Sequence, residues 1–144
     1  MKIKIKKMKV NAVIPTYGTA LAAGADLYAC IDNPIMIAAH KTEIIDTGIG
    51  LEIPPGYVGL IYARSRLSIK EGLAPANKVG VIDADYRGEI KIALHNHSNE
   101  SKIVNPKDRI AQIVITPYLP VQFKEVRELS KTKRGNGGFG STGI

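Results

Sequence analysis

Cysteine is nearly absent from this chain of 144 residues, which carries one, Cys30. A single cysteine can form no intrachain disulfide and no Cys-rich zinc site, and it suits a reducing cytoplasm. Long apolar runs are also missing. None approaches the 18 or so residues that a membrane-spanning helix needs. The opening MKIKIKKMKV alternates lysine with apolar residues and lacks the continuous apolar core of a secretion signal. Aromatic rings are scarce, with six Tyr, two Phe and no Trp. A nucleic-acid platform that stacks bases on one sheet would need more exposed rings than this supply offers. Acids are outnumbered by bases, giving a net charge of +7. The excess lies at the two ends, with five lysines in residues 1–10 and five bases against two acids in residues 124–134. The body between them is close to neutral, which speaks against a duplex-binding face and fits a charged edge strand and a solvated tail.

What the chain does have is apolar residues (44%) in short alternating runs. Ile3 and Ile5 alternate with lysines, and Met8 and Val10 continue after a phase slip that suggests a bulge. Ile49, Leu51 and Ile53 alternate up to Pro54-Pro55-Gly56; then come Val58, Leu60 and Tyr62, and later Ile90, Ile92 and Leu94. The stretch from Ile110 to Ile115 is apolar enough for burial on both faces. Turn residues separate the runs at Asn33-Pro34, Pro54-Pro55-Gly56, Arg87-Gly88 and Asn105-Pro106. Many short strands punctuated this way predict an all-β sandwich or barrel. One short helix is expected after Ser65, through Glu71, with Gly72 ending it. Residues 130–144 hold five glycines, and their only large apolar groups are Phe139 and Ile144, too few to order the segment by packing alone. This divides the chain into a body, residues 1–129, and an arm, residues 130–144.

Several segments invite chemistry. Arg64-Ser65 lies at a strand-to-helix junction, where free backbone amides, a guanidinium and a hydroxyl can receive phosphate; Ser65 equally suits a plain N-cap. Asp83-Ala84-Asp85-Tyr86-Arg87-Gly88, between Val81-Ile82 and Glu89-Ile90, reads as the tip of a hairpin. Its acids and tyrosine suit a turn, and also a general base with an aromatic platform. Asp26 is a lone carboxylate among small residues. The arm lacks the lysine of a Walker A loop, no Gly-x-Ser-x-Gly elbow occurs, and His40, His95 and His97 lack metal-site spacing.

Taken in order, five segments resemble the trimeric deoxyuridine 5′-triphosphate nucleotidohydrolases (dUTPases). They are Ala22-Ala23-Gly24-Ala25-Asp26-Leu27; Pro55-Gly56-Tyr57-Val58-Gly59-Leu60-Ile61 running into Arg64-Ser65; Gly80-Val81-Ile82-Asp83-Ala84-Asp85-Tyr86-Arg87-Gly88-Glu89-Ile90; Asp108-Arg109-Ile110-Ala111-Gln112; and Arg134-Gly135-Asn136-Gly137-Gly138-Phe139-Gly140-Ser141-Thr142-Gly143. The resemblance implies a jelly-roll-like β-barrel, a homotrimer with shared sites closed by the C-terminal arm, and Mg²⁺-assisted conversion of dUTP to dUMP and pyrophosphate. It further implies residue roles. Asp83 is the general base, and Tyr86 packs on deoxyribose. Asn77, Val81, Ile82 and Lys91 read uracil. Arg64, Ser65, Arg66 and Gln112 hold phosphates or the attacking water. Phe139 stacks on uracil while Arg134, Gly140, Ser141 and Thr142 bind the outer phosphates. Asp26 serves Mg²⁺ through a water. Two positions depart from the family's habit: Arg66 stands where a small residue is usual, and Ser68 where alanine is. The related dCTP deaminase chemistry would need a glutamate near the pyrimidine in place of the Asp83–Tyr86 arrangement. A non-enzymatic nucleotide binder would not need the complete set of groups. No membrane or direct nucleic-acid partner is expected.

Overall fold

The computed structural model describes residues 1–138. Twelve strands and one helix run in the order β1 (Lys4–Lys7), β2 (Thr16–Tyr17), β3 (Ala25–Tyr28), β4 (Ile35–Ile37), β5 (Thr42–Asp46), β6 (Ile49–Glu52), β7 (Tyr57–Tyr62), α1 (Ser65–Glu71), β8 (Leu73–Pro75), β9 (Gly80–Ile82), β10 (Lys91–Asn96), β11 (Lys102–Val104) and β12 (Arg109–Pro117). Every ladder among them is antiparallel. The largest sheet has the order β2-β3-β12-β7-β9, and a second runs β5-β10-β8. The pairs β1-β6 and β4-β11 complete the set. Neighbours in these sheets are mostly distant in sequence, so the strands wind around one core as in a jelly roll.

That core is aliphatic: Leu27, Ile37, Ile45, Ile49, Ile53, Leu73, Ile90, Ile92, Leu94 and Ile110 are all fully buried. The alternation read along the chain holds for Ile49 and Leu51 and for Ile92 and Leu94, which turn inward, but not for Val58, Leu60 and Tyr62, since β7 buries Gly59 and Ile61 instead. At the N-terminus the phase slip is a real bulge, since the amides of both Met8 and Lys9 donate to the single carbonyl of Gly48. β12 lies between β3 and β7, with Ile110, Ala111 and Ile113 buried. Val114 and Ile115 are only half-buried, so burial on both faces holds for the first part of that run.

Turn chemistry fixes the ends of the strands. Pro54-Pro55-Gly56-Tyr57 closes with the Tyr57 amide on the Pro54 carbonyl (3.2 Å), and Gly56 takes φ 84°, which that turn requires at its third position. The side chain of Asn96, fully buried, donates to the carbonyls of Ile37 and Glu100 and accepts from the Ser98 amide. It thereby ties β10 to β4 and to the loop before β11.

Two local expectations are corrected. Val81-Ile82 and Glu89-Ile90 do not form a hairpin: β9 pairs with β7, and β10 with β5 and β8, so residues 83–90 cross from one sheet to the other. The alternating pattern registers which residues face inward but not which strand is the partner. Ser65 is also not the N-cap. Arg64 holds that place in extended conformation (φ −93°, ψ 131°) with no side-chain cap bond, and Ser65 is the first helical residue. Gly72 does end the helix, at φ 68° with its amide on the Leu67 carbonyl.

After Pro117 the chain has no further strand or helix among the described residues, and Leu119, Val121, Phe123 and Leu129 are exposed. Phe139, Gly140, Ser141 and Thr142 lie outside the described residues.

Candidate active site

β12 is the spine of the first group of site residues. Its Gln112 pairs in register with Asp26 on β3 and with Tyr62 on β7, and Tyr62 leads directly into the strand-to-helix junction. Asp26 is buried. It accepts from Arg64 Nε at 2.7 Å on one oxygen and from Arg109 Nη1 at 3.2 Å on the other. Gln112 donates from Nε2 to the carbonyl of Ala63 at 2.9 Å, bracing the backbone one residue before Arg64. Room for that glutamine comes from Gly24, since a Cβ at position 24 would collide with Gln112 Oε1. Three segments far apart in sequence, residues 24–26, 62–64 and 109–112, thus meet at the start of α1.

A cleft of about 310 Å³ opens beside this group, lined in part by Arg64, Arg66, Lys102 and Arg109. Lys102 faces Glu71 and Glu100, whereas no carboxylate among the described residues pairs with Arg66. The large residue at position 66 therefore turns toward the cleft and adds a cation to it. Clustered guanidiniums beside the first turn of a helix make an anion cradle.

The second group stands on β9 and the crossing that follows. β9 is the edge of the five-stranded sheet, so one side of its backbone has no strand partner. Val81 is exposed and Ile82 half-buried. Asp83-Ala84-Asp85-Tyr86 is a β-turn, the Tyr86 amide donating to the Asp83 carbonyl at 3.2 Å. Arg87 tightens it by donating from Nη1 to the Ala84 carbonyl at 2.7 Å. The Tyr86 ring folds back over Gly88, where any Cβ would strike it, and its hydroxyl donates to the Glu89 carbonyl at 2.9 Å. The result is a half-exposed aromatic face held at both ends, beside an exposed Asp83. Asn77, also exposed, lies next to Gly80 at the start of the edge strand. Asp83 also lines an open cleft of about 820 Å³ with Val81, Asp85, Arg87 and Tyr118.

Lys91 stands at the start of β10. Its ammonium lies 2.9 Å from Asp46 and 3.8 Å from Glu89, within the other sheet. Arg134 folds locally, donating from Nε to the Gly137 carbonyl at 2.8 Å.

The two groups occupy opposite ends of one ladder. Ile82 pairs with Gly59 on β7, which places Asp83 level with Val58. Arg64 is six residues further along an extended backbone, roughly 20 Å away at about 3.3 Å per residue.

The expected metal-side role of Asp26 meets a different environment here. Both its oxygens are taken by guanidinium groups, which leaves it poorly suited to bind a cation directly. Among the described residues, no set of three or more His, Cys, Asp or Glu side chains is arranged to hold a metal. Arg109 is the site residue that sequence reasoning missed. Its signal was present in the Asp108-Arg109 pair, but only the cross-strand register shows that it shares Asp26 with Arg64.

A jelly-roll β-domain with an anion cradle at a helix start and a tyrosine-backed edge strand defines a nucleotide-handling framework. Comparison with known proteins makes the assignment specific. Residues 10–143 match the dUTPase family, and the chain belongs to that family. It is 49% identical over 143 residues to the deoxyuridine 5′-triphosphate nucleotidohydrolase of Nautilia profundicola, covering 99% of each chain. It is 45% identical over 144 residues to that of Hydrogenobaculum sp., covering 100% of this chain and 99% of the relative. Among solved structures, the Staphylococcus bacteriophage 80alpha dUTPase with dUPNHPP superimposes with a TM-score of 0.85 at 28% identity, covering 99% of each chain. A dUTPase of phage phi11 of S. aureus, described as coordinating a structural Mg(II) ion, gives 0.78 at 25% identity, over 89% of this chain and 98% of that one.

Proposed function

We propose that this chain hydrolyses dUTP at sites shared between copies of itself, each built from the edge-strand group of one copy and the arginine group of another. The activity is that of the family, a dUTP diphosphatase converting dUTP and water to dUMP and pyrophosphate.

One observation carries the sharing: Asp83 and Arg64 stand about 20 Å apart along β7. A general base must reach its proton directly or through one water, and the phosphates being attacked must lie against their cations at the same moment. One chain cannot satisfy both, whereas a closed cyclic assembly can, and a homotrimer is the proposed form. Exposed apolar side chains such as Met36, Ile44 and Ile103 agree with burial against further copies.

In this reading Asp83 removes a proton from the water attacking the α-phosphorus. The Tyr86 ring, fixed by its hydroxyl and by Gly88, carries the deoxyribose and leaves no space for a 2′-hydroxyl. The open backbone edge from Val81 to Ile82, with Asn77 beside it, reads uracil through amide and carbonyl groups. Such a slot refuses cytosine, whose exocyclic group is a donor in place of an acceptor. Arg64, Ser65 and Arg66 hold phosphates, and Gln112 supports them by fixing the Ala63–Arg64 backbone. Lys91 takes no part through its ammonium. From residue 130 the chain acts as an arm, with Arg134, Gly140, Ser141 and Thr142 on the outer phosphates and Phe139 over the base. Mg²⁺ enters as part of the substrate, chelated by the triphosphate, and no step is assigned to a protein-bound metal. The single thiol and near-neutral body suit a cytoplasmic enzyme with no nucleic-acid partner.

The decisive experiment supplies purified protein and Mg²⁺ with dUTP, dTTP, dCTP and UTP in turn and measures pyrophosphate and ammonia. Pyrophosphate from dUTP alone is expected. Equal turnover of UTP would remove Tyr86 from sugar selection, and ammonia from dCTP would favour the deaminase reading.

A further inference from the structure

We propose that Glu89 is a positioning residue for sugar selection: its carboxylate, anchored on the Gly48 amide, fixes the backbone carbonyl on which the Tyr86 hydroxyl rests, and so sets where the tyrosine ring stands. The proposal deepens the reading of Tyr86 given above and rests on it.

A ring that is to exclude one hydroxyl group must stand still. Tyr86 is 44% exposed and lies on the segment that crosses between two sheets. Its outer end is tied at one atom, the Glu89 carbonyl oxygen, 2.9 Å from its hydroxyl. That oxygen belongs to the planar peptide unit whose N–H is that of Ile90, and this N–H donates to the Ile49 carbonyl at 2.9 Å. The carbonyl that follows, that of Ile90, accepts from the buried Thr47 hydroxyl at 2.5 Å. The Glu89 side chain completes the set. Its Oε1 accepts from the Gly48 amide at 2.8 Å, and the side chain is only 15% exposed. Thr47, Gly48 and Ile49 make the corner between β5 and β6, so one corner grips residues 89 and 90 at three points. The corner itself is confined. Gly48 takes φ 69°, a Cβ there would strike Ala12 and Cys30, and its carbonyl accepts the amides of Met8 and Lys9. The other carboxylate oxygen of Glu89 lies 3.8 Å from the Lys91 ammonium, too far for a hydrogen bond. The orienting contact is therefore the one to Gly48, which needs an acceptor and not a charge. Removing that acceptor leaves a part-buried amide without its partner and loosens the crossing from the corner.

The readout is the ratio of kcat/KM for dUTP to kcat/KM for UTP, measured with Mg²⁺ on the full-length protein. A displaced ring changes that ratio, whereas a general loss of structure lowers both substrates together. We expect Glu89→Ala to lower the ratio about tenfold, and Tyr86→Phe, which removes the hydroxyl tie, to lower it about as much. Glu89→Gln keeps the acceptor and loses the charge, and its ratio should stay within about twofold of wild type. The double variant Glu89→Ala/Tyr86→Phe should be no worse than either single one, because both cut the same connection. Glu89→Asp keeps the charge and shortens the reach to Gly48, so its ratio should also fall, and it decides the matter if Glu89→Ala does not fold. An unchanged ratio in Glu89→Ala or Glu89→Asp, with both substrates slowed alike, would make Glu89 merely structural and overturn the proposal. So would a loss in Glu89→Gln as large as in Glu89→Ala, or losses that add in the double variant. Wild-type protein that does not prefer dUTP to UTP would instead defeat the reading of Tyr86 on which the proposal rests.

Discussion

At the scale of the residue, the ion pairs of Asp46 give the molecule one definite pH response. Asp46 on β5 receives a hydrogen bond from Lys9 and a second from Lys91 on β10. The Lys9 contact is the larger cause that holds its carboxyl below the ordinary carboxylate value, and it raises Lys9 in turn. A carboxylate whose folded value is depressed contributes stability that is complete above its unfolded value near 4. That contribution is lost as the pH falls through the folded value. Asp46→Asn should therefore melt lower at neutral pH and show a shallower decline between about pH 5 and pH 2, which thermal melts across that range would reveal. An equally steep acid decline in the variant would place the titration elsewhere. Gly24 offers a second case. A methyl group there must displace Gln112, whose amide would lose the Ala63 carbonyl. Because the displaced atom is the far end of a flexible side chain, Gly24→Ala should fold with at most about 1 kcal/mol of lost stability. Its kcat/KM for dUTP should fall by about tenfold or more, since the start of α1 is no longer braced. Full activity in that variant would show that the brace does not matter.

At the scale of the element, turns decide where the site residues stand. Asn105-Pro106-Lys107-Asp108 introduces β12 and closes with the Asp108 amide on the Asn105 carbonyl at 3.1 Å. Lys107 occupies its third position at φ 67°, where glycine is at ease and a lysine is strained. Lys107→Gly should raise stability by about 0.5–1 kcal/mol, readable as an increase in melting temperature. A lower melting temperature would mean that unfolded-chain entropy outweighs the strain. The Asp83–Tyr86 turn shows the same logic applied to function. It is held by backbone and arginine contacts within the segment, with Ala84 packed against the core, so its acid can stay exposed while its tyrosine stays fixed.

At the scale of the whole molecule, the separation of the two groups makes a sharp statement about assembly. Asp83→Asn keeps the shape of the side chain but cannot accept a proton, and turnover should drop by at least about 10²-fold. Arg64→Ala should be similarly impaired. Mixed assemblies of the two variants, denatured and refolded together, should regain activity, because some sites then combine an intact Asp83 from one copy with an intact Arg64 from another. Sites contained in one chain would give no recovery. Removing residues 134–144 belongs to the same scale. The truncated protein keeps all twelve strands and should melt near the full-length temperature, yet hydrolyse dUTP far more slowly because nothing closes over the nucleotide. Full-rate turnover by the truncated form would leave the arm without a catalytic part.

Short-range physics made the strands legible. The alternations at Ile49–Ile53 and Ile90–Leu94, the stops at Pro54-Pro55-Gly56 and Asn105-Pro106, and the glycine ending α1 are all encoded within a few residues, and each appears in the structure; at Val58–Tyr62 the strand forms but buries the other face, Gly59 and Ile61. The segments that resemble the dUTPases were legible too, since a ligand site demands particular side chains at particular spacings. What only the tertiary structure decided is pairing at long range. The alternation around Val81–Ile82 and Glu89–Ile90 could not show that these strands join different sheets. Nor could it show that the ammonium of Lys91 goes to Asp46. The pairing of Asp26 with two arginines depends on the register that sets Asp26, Gln112 and Tyr62 side by side. Register is fixed by burial of whole sheet faces against a common core, and that is a property of the folded chain and of no single segment.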